Sequence, residues 1–277
     1  MSHVFVVDAQ GTLQQVTGVS RSSAGTSQPD WSPDGSMLAF GPPKTGSGMT
    51  FEVGVVNADG SGERVVGEGQ NPQWSPDGTR IVFEEVDDVT SEPRSMYMVD
   101  VASGEVTDIG QGFGPQWLAD GERIGFQRLN ADGTSSLVVR SLADGEITPL
   151  LTESAGVWSP DGSAVLLIRE GLMWLAEPDG SEARELVAGY DPVWSPDGTR
   201  VVFAYDVNQN GVPLLAVVDL EGVPVWSGVA GATPSWSPDG TRLAVEVGVP
   251  TPVIRVLDAA TGDTLWETDG ADPAWAP

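Results

Sequence analysis

An all-β propeller of four-stranded blades is the fold class that this sequence predicts, and three features predict it. The motif Trp-Ser-Pro-Asp-Gly stands intact at Trp31–Gly35, Trp74–Gly78, Trp158–Gly162, Trp194–Gly198 and Trp236–Gly240, with a degenerate copy at Trp117–Gly121 and a short one at Trp275–Pro277. Its tryptophans recur every 36 to 43 residues, the period of a propeller blade. Between them lie short apolar runs rich in β-branched residues, broken by glycine and proline, and no 3.6-residue periodicity is visible.

Each repeat reads as four strands in order. Strand A is the brief segment that ends on the tryptophan. Ser-Pro-Asp-Gly is a tight turn: proline pre-sets φ, aspartate suits the next position, and glycine accepts the positive φ that follows. Strand B is apolar, as in Leu38-Ala39-Phe40, Ile81-Val82-Phe83, Ile124-Gly125-Phe126, Val201-Val202-Phe203 and Leu243-Ala244-Val245. A loop of variable length leads to strand C, as in Val53–Asn57, Met96–Asp100, Leu214–Asp219 and Val253–Asp258. A second glycine turn leads to strand D, as in Glu105–Ile109 and Glu146–Leu150. A lone sheet of this kind cannot bury both faces, whereas neighbouring sheets can cover one another. The repeat tryptophans Trp31, Trp74, Trp117, Trp158, Trp194, Trp236 and Trp275 are therefore expected to wedge between blades. Proline stands two residues before the tryptophan in six copies (Pro29, Pro72, Pro115, Pro192, Pro234 and Pro273), and Gly156 takes that place before Trp158.

The W-S-P-D-G repeat resembles the TolB-like, WD-repeat-like β-propeller repeat, which is similar to the repeat in propellers of prolyl-oligopeptidase-type peptidases. The resemblance covers residues 3–277. It implies a propeller that binds protein or peptide on one face, and it implies no catalytic residue, because the motif residues form turns and wedges.

Counting strands predicts one propeller domain over residues 1–277 with seven blades. Residues 1–20 would supply strands C and D of the closing blade and residues 272–277 its strand A. That blade would lack strand B, a gap that a donated strand would fill by β-augmentation. A six-bladed ring with spare terminal strands is the alternative.

Composition narrows the function. The 40 acidic residues against 13 Lys+Arg give a net charge of −27, and Lys44 is the only lysine. Such a surface repels phosphate backbones and anionic lipid heads, so nucleic-acid and membrane partners are not expected. The chain has no cysteine and one histidine, His3, which argues against disulfides, thiolate nucleophiles, Ser-His-Asp triads and multi-histidine metal sites. No G-x-S-x-G elbow and no P-loop occurs. The start lacks the features of a signal peptide. The chain as written reads as cytoplasmic, or as periplasmic or extracellular if an export signal has been removed.

Candidate sites are few. Because strand direction alternates, the B–C and D–A loops share one face, and that face carries the long loops Gly41–Thr50, Glu84–Ser95, Arg128–Ser136 and Tyr205–Pro213. Asp206, Asn208 and Asn210, followed by Gly211, match the opening of a calcium loop, but Leu214 and Val217 stand where later ligands are wanted. An Asx hairpin is the rival reading, so no cofactor is required and calcium is the one candidate. Glu84, Glu85, Asp87 and Asp88 form an acidic cluster suited to a basic partner or to plain solvation. Asp34, Asp77, Asp120, Asp161, Asp197 and Asp239 are expected to be structural turn residues. Trp174, Trp226 and Trp266 fall outside the motif and are expected to pack on outer strands. The expectation is a non-catalytic scaffold that binds a protein or peptide partner on its variable face or channel. The alternative is the accessory propeller of a prolyl-oligopeptidase-type peptidase.

Overall fold

The structure, a computed structural model, describes residues 5–7, 13–15, 29–41, 52–85, 95–132, 134–152, 155–207, 211–248 and 252–277. Every regular element among them is a β-strand. The chain divides into two compact units, residues 1–117 with Pro277, and residues 118–276.

The first unit begins with the hairpin β1 (Phe5–Val7) and β2 (Leu13–Gln15), paired from Phe5↔Gln15 to Val7↔Leu13. Its first four-stranded sheet holds β3 (Asp30–Trp31), β4 (Met37–Phe40), β5 (Glu52–Asn57) and β6 (Arg64–Glu68). The second holds β7 (Gln70–Trp74), β8 (Arg80–Glu84), β9 (Ser95–Asp100) and β10 (Val106–Gln111), and β11 (Phe113–Trp117) ends the unit. β11 leads the third sheet, followed by β12 (Arg123–Leu129), β13 (Ser135–Ser141) and β14 (Ile147–Thr152). The fourth sheet comprises β15 (Ala155–Trp158), β16 (Val165–Arg169), β17 (Leu172–Ala176) and β18 (Arg184–Ala188). The fifth comprises β19 (Tyr190–Trp194), β20 (Arg200–Val207), β21 (Pro213–Asp219) and β22 (Pro224–Ala230). The sixth comprises β23 (Ala232–Trp236), β24 (Arg242–Val247), β25 (Val253–Asp258) and β26 (Thr264–Asp269).

Six blades are therefore present, each an antiparallel meander. The seven-bladed expectation gives way to the six-bladed alternative. Residues 272–277 form no strand, and β1 and β2 pair only with each other among the described residues. The physical reason is that a strand needs a ladder partner. Trp275 is held instead through its ring, whose Nε1–H donates to the Ser235 carbonyl at 3.0 Å.

Four of the repeat tryptophans, Trp74, Trp158, Trp194 and Trp236, lie in clusters drawn from two sheets, whereas Trp31 is half-buried against Leu38, Phe40 and Val56 of its own sheet. One cluster of the first unit joins Ala39, Val53 and Val55 of the first sheet to Trp74, Ile81, Phe83 and Val99 of the second. In the second unit Trp158, Trp194 and Trp236 each sit in a cluster drawn from two consecutive sheets. The wedges also carry hydrogen bonds. Each indole N–H of Trp74, Trp117, Trp194 and Trp236 donates to the carbonyl of the residue just before the preceding repeat tryptophan: Asp30, Gln73, Val157 and Val193, at 3.0–3.2 Å. Trp275 repeats the pattern on Ser235, whereas Trp158 donates to Pro178 at 3.2 Å. The Trp158 ring lies over Gly125, where a Cβ would come within 2.2 Å of it.

A second set of rungs runs farther out. Arg64 of β6 donates to the Val101 carbonyl at 2.7 Å, Arg184 of β18 donates to that of Leu220, and the Trp226 indole of β22 donates to that of Ala259 at 3.0 Å. Val101, Leu220 and Ala259 each follow the aspartate that ends a strand C. Trp226 is thus an outer-strand packing residue, as expected. Trp174 packs at the edge of the Trp158 cluster, and Trp266 lies half-buried on β26.

The Ser-Pro-Asp-Gly turns are closed units. In the copy at Trp236, the Asp239 carboxylate accepts from the Ser237 and Thr241 hydroxyls and the Thr241 N–H, at 2.7–3.0 Å. The motif glycines take φ of 65–71°, a region that costs glycine nothing. The Ser36 N–H and Ser32 hydroxyl hold Asp34 at about 2; the Ser163 N–H and Ser159 hydroxyl do so for Asp161, and the Ser237 hydroxyl and Thr241 N–H for Asp239. In the degenerate copy Leu118 replaces serine, and Asp120 turns to Arg123 Nε at 2.6 Å.

Candidate binding face

A proline stands two residues before six of the seven repeat tryptophans, at the entry to strand A. The residue before it, three positions ahead of the tryptophan, is left-handed at Asn71, Gly114, Asp191, Thr233 and Asp272, with φ between 44° and 62°. In β7, β19 and β23 this position is a bulge: two residues there oppose one on the neighbouring strand, as Asn71 and Pro72 oppose Phe83 between Gln70↔Glu84 and Gln73↔Val82. β15, which has Gly156 in place of proline, pairs with β16 without a shift. A Cβ at Gly156 would meet Leu137 Cδ2 at 2.4 Å. The bulges turn side chains at the start of strand A, and bulges commonly re-aim groups in this way.

In each sheet the start of strand A lies at the same end as the end of strand B, from which the chain leaves for the B–C loop. In the first unit Glu84 ends β8 and is buried. Its carboxylate accepts from Asn71 Nδ2 at 2.7 Å, Gln70 Nε2 at 3.1 Å and the Gly114 N–H at 2.9 Å. Glu84 therefore ties β7, β8 and β11 together and is not part of an open acidic surface. Its neighbour Glu85 is exposed, with its N–H bonded to the Ser95 carbonyl. Asp87 and Asp88 lie outside the described residues.

In the second unit Asp206 sits near the end of β20, exposed, at a bulge where it pairs with Leu214. Its carbonyl accepts from the Tyr190 hydroxyl at 3.4 Å. Tyr205 beside it is 40% exposed and packs edge-on against Phe203, with centroids 6.5 Å apart. Asn208 and Asn210 lie outside the described residues. Among the described residues no three His, Cys, Asp or Glu side chains converge as a metal site.

Two carboxylates stand out that the composition alone did not mark. Burial pushes half-buried Asp30 up to about 6, against the lowering effect of the Trp74 N–H, which donates to its Oδ2 at 2.7 Å. Burial and the Glu246 carboxylate together push Asp272 up to about 6 as well. One signal was available: Glu84 and Glu246 both stand ten residues after a repeat tryptophan.

The sheets, their meander and their tryptophan wedges define a β-propeller. No protein-family model and no curated protein matches the sequence. Solved structures do match the fold. An oligogalacturonate lyase in complex with manganese is similar at 20% identity and a TM-score of 0.67, over 86% of this chain and 75% of that one. TolB from Acinetobacter baumannii is similar at 19% identity and 0.60, over 81% of this chain and 60% of TolB. The β-propeller domain of the Trilobed protease from Pyrococcus furiosus, described as having an open velcro topology, is similar at 13% identity and 0.64, over 86% and 82%. At these identities the likeness establishes the β-propeller fold.

Proposed function

We propose that the chain is a non-catalytic scaffold that binds a basic segment of a protein or peptide on the face of its long loops. The observation that supports this reading is the contrast between the two ends of each sheet. On the A–B side the polar groups of the turns are consumed by one another. On the other side the loops differ in length from blade to blade, and Glu85, just after β8, and Tyr205 and Asp206, at the end of β20, are exposed. Variable loops on a rigid frame are where binding commonly resides. With a net charge of −27, the field around the chain draws in cations and opposes anions. That field disfavours a polycarboxylate substrate such as the one named for the lyase. Calcium at Asp206, with Asn208 and Asn210, is an accessory to this reading and not a requirement.

The likeness to a protease propeller domain favours a second reading, in which the chain serves as the accessory propeller of a prolyl-oligopeptidase-type peptidase. A comparison of two equal charge reversals separates specific binding from diffuse attraction. Glu85 and Glu105 are both exposed and lie at opposite ends of the second sheet. In fluorescence anisotropy with a labelled Lys/Arg-rich peptide, Glu85→Lys is expected to weaken binding several-fold more than Glu105→Lys, with affinity falling from about 0.05 M to about 0.5 M salt. Equal effects of the two reversals, or no binding at low salt, would overturn the proposal.

A further inference from the structure

The segment 271–276 is docked on the sixth sheet without any ladder pairing. Among the described residues, two hydrogen bonds hold it there. The Asp272 N–H donates to Glu246 Oε2 at 3.1 Å, and the Trp275 indole donates to the Ser235 carbonyl at 3.0 Å. We propose that this segment is a proton-controlled latch, held against β23 and β24 when Asp272 is protonated and loosened when Asp272 ionises beside Glu246.

The geometry of the second sheet supplies the comparison. Glu84 and Glu246 occupy the same place, ten residues after Trp74 and Trp236. Glu84 meets two neutral amide side chains and the N–H of Gly114, three residues before Trp117. Glu246 receives the corresponding N–H from Asp272, three residues before Trp275. The repeat has therefore put a second carboxylate where the second sheet has glycine. Asp272 is left-handed, at φ 48°, and half-buried. A residue in that conformation is held by its surroundings and not by its own preference.

Among the described residues, the other charges of the sixth sheet do not compensate this pair. β23 carries no charged residue. On β24 the only charges are Arg242, which begins the strand at its opposite end, and Glu246. On β25 and β26, Arg255 is taken by Glu267 at 2.6 Å, Asp258 bonds its own turn, and Asp269 adds a further negative charge. Burial and Glu246 together raise the Asp272 carboxyl to about 6, so its titration falls near neutral pH. If the released segment has an ordinary carboxyl at 3.8, linkage lets the release equilibrium rise by at most about 150-fold between acid and neutral pH.

The test uses the full chain labelled with 5-fluorotryptophan, with the Trp275 resonance assigned by its loss in Trp275→Phe. The Trp275 signal is expected to shift with a midpoint near pH 6 while the signals of the other repeat tryptophans stay still. Asp272→Asn keeps a residue that tolerates the left-handed conformation and removes the charge; it is expected to stay latched with no transition. Glu246→Gln is expected to move the midpoint downward, and it decides the question if Asp272→Asn does not fold. A Trp275 signal that is flat with pH, a midpoint unchanged in both variants, or all tryptophan signals moving together would overturn the latch.

Discussion

Replacing Trp236 by phenylalanine and by alanine tests the wedge most fully. Trp236 is 6% exposed and lies among Val202, Leu215 and Val217 of the fifth sheet and Leu243, Val245 and Leu257 of its own. Its indole donates to the Val193 carbonyl at 3.2 Å, and the Arg200 guanidinium stacks 4.9 Å from the ring centre. Trp236→Ala empties a buried site of this size, which costs about 3–5 kcal/mol. It also leaves the Val193 carbonyl without its donor. Trp236→Phe keeps most of the apolar contact but loses the hydrogen bond, about 0.5–1.5 kcal/mol, and weakens the cation–π contact, about 0.5–1 kcal/mol. The expected penalties are therefore about 1–2 kcal/mol for phenylalanine and about 4–5 kcal/mol for alanine. Urea denaturation followed by circular dichroism reads both. An alanine variant within about 1 kcal/mol of the parent would refute the wedge, and a phenylalanine variant equal to the parent would refute the rung.

Two further expectations concern buried and turn carboxylates. Asp30 and Asp272 have folded values near 6, above the ordinary 3.8, so the folded state takes up their protons first. Stability from them should grow as pH falls from about 7 toward about 4. The turn aspartates Asp34, Asp161 and Asp239 lie near 2, so their contribution is lost as pH falls from about 4 toward 2. Melting temperature should therefore peak between the two ranges, and Asp30→Asn should flatten the neutral side; a monotonic rise toward pH 8 would contradict this. Ser195→Ala removes a buried hydroxyl that donates to Asp197 at 2.6 Å and accepts from the Arg200 N–H at 2.9 Å. A loss of about 1–3 kcal/mol is expected by thermal denaturation, and a neutral result would mean that the turn is not a closed hydrogen-bonded unit.

Much of this architecture was legible in the residues. The spacing of the tryptophans and the Ser-Pro-Asp-Gly turns marks strand A, strand B and the turn between them, and the same copies appear as β7–β8, β19–β20 and β23–β24. Even the lone missing proline has a structural counterpart, since β15 with Gly156 pairs without the bulge seen in β7, β19 and β23. What the sequence could not carry is pairing at a distance. The indole rungs join residues some forty positions apart, and nothing in Val157 or Val193 marks its carbonyl as an acceptor. Counting strand-like runs gives seven blades, whereas a blade exists only where ladders form. Sequence adjacency groups Glu84 with Glu85, Asp87 and Asp88. In space its carboxylate turns inward to Asn71, Gln70 and Gly114, and Glu85 remains at the surface.

The claim on which the account rests is that hydrogen-bonded tryptophans stitch consecutive sheets together within each unit. Solvent exchange of the indole N–H groups, followed by proton–nitrogen correlation NMR, reads this directly. The resonances of Trp74, Trp117, Trp194 and Trp236 should exchange far more slowly than a free indole. Exchange at the free rate in these four would contradict the stitched frame.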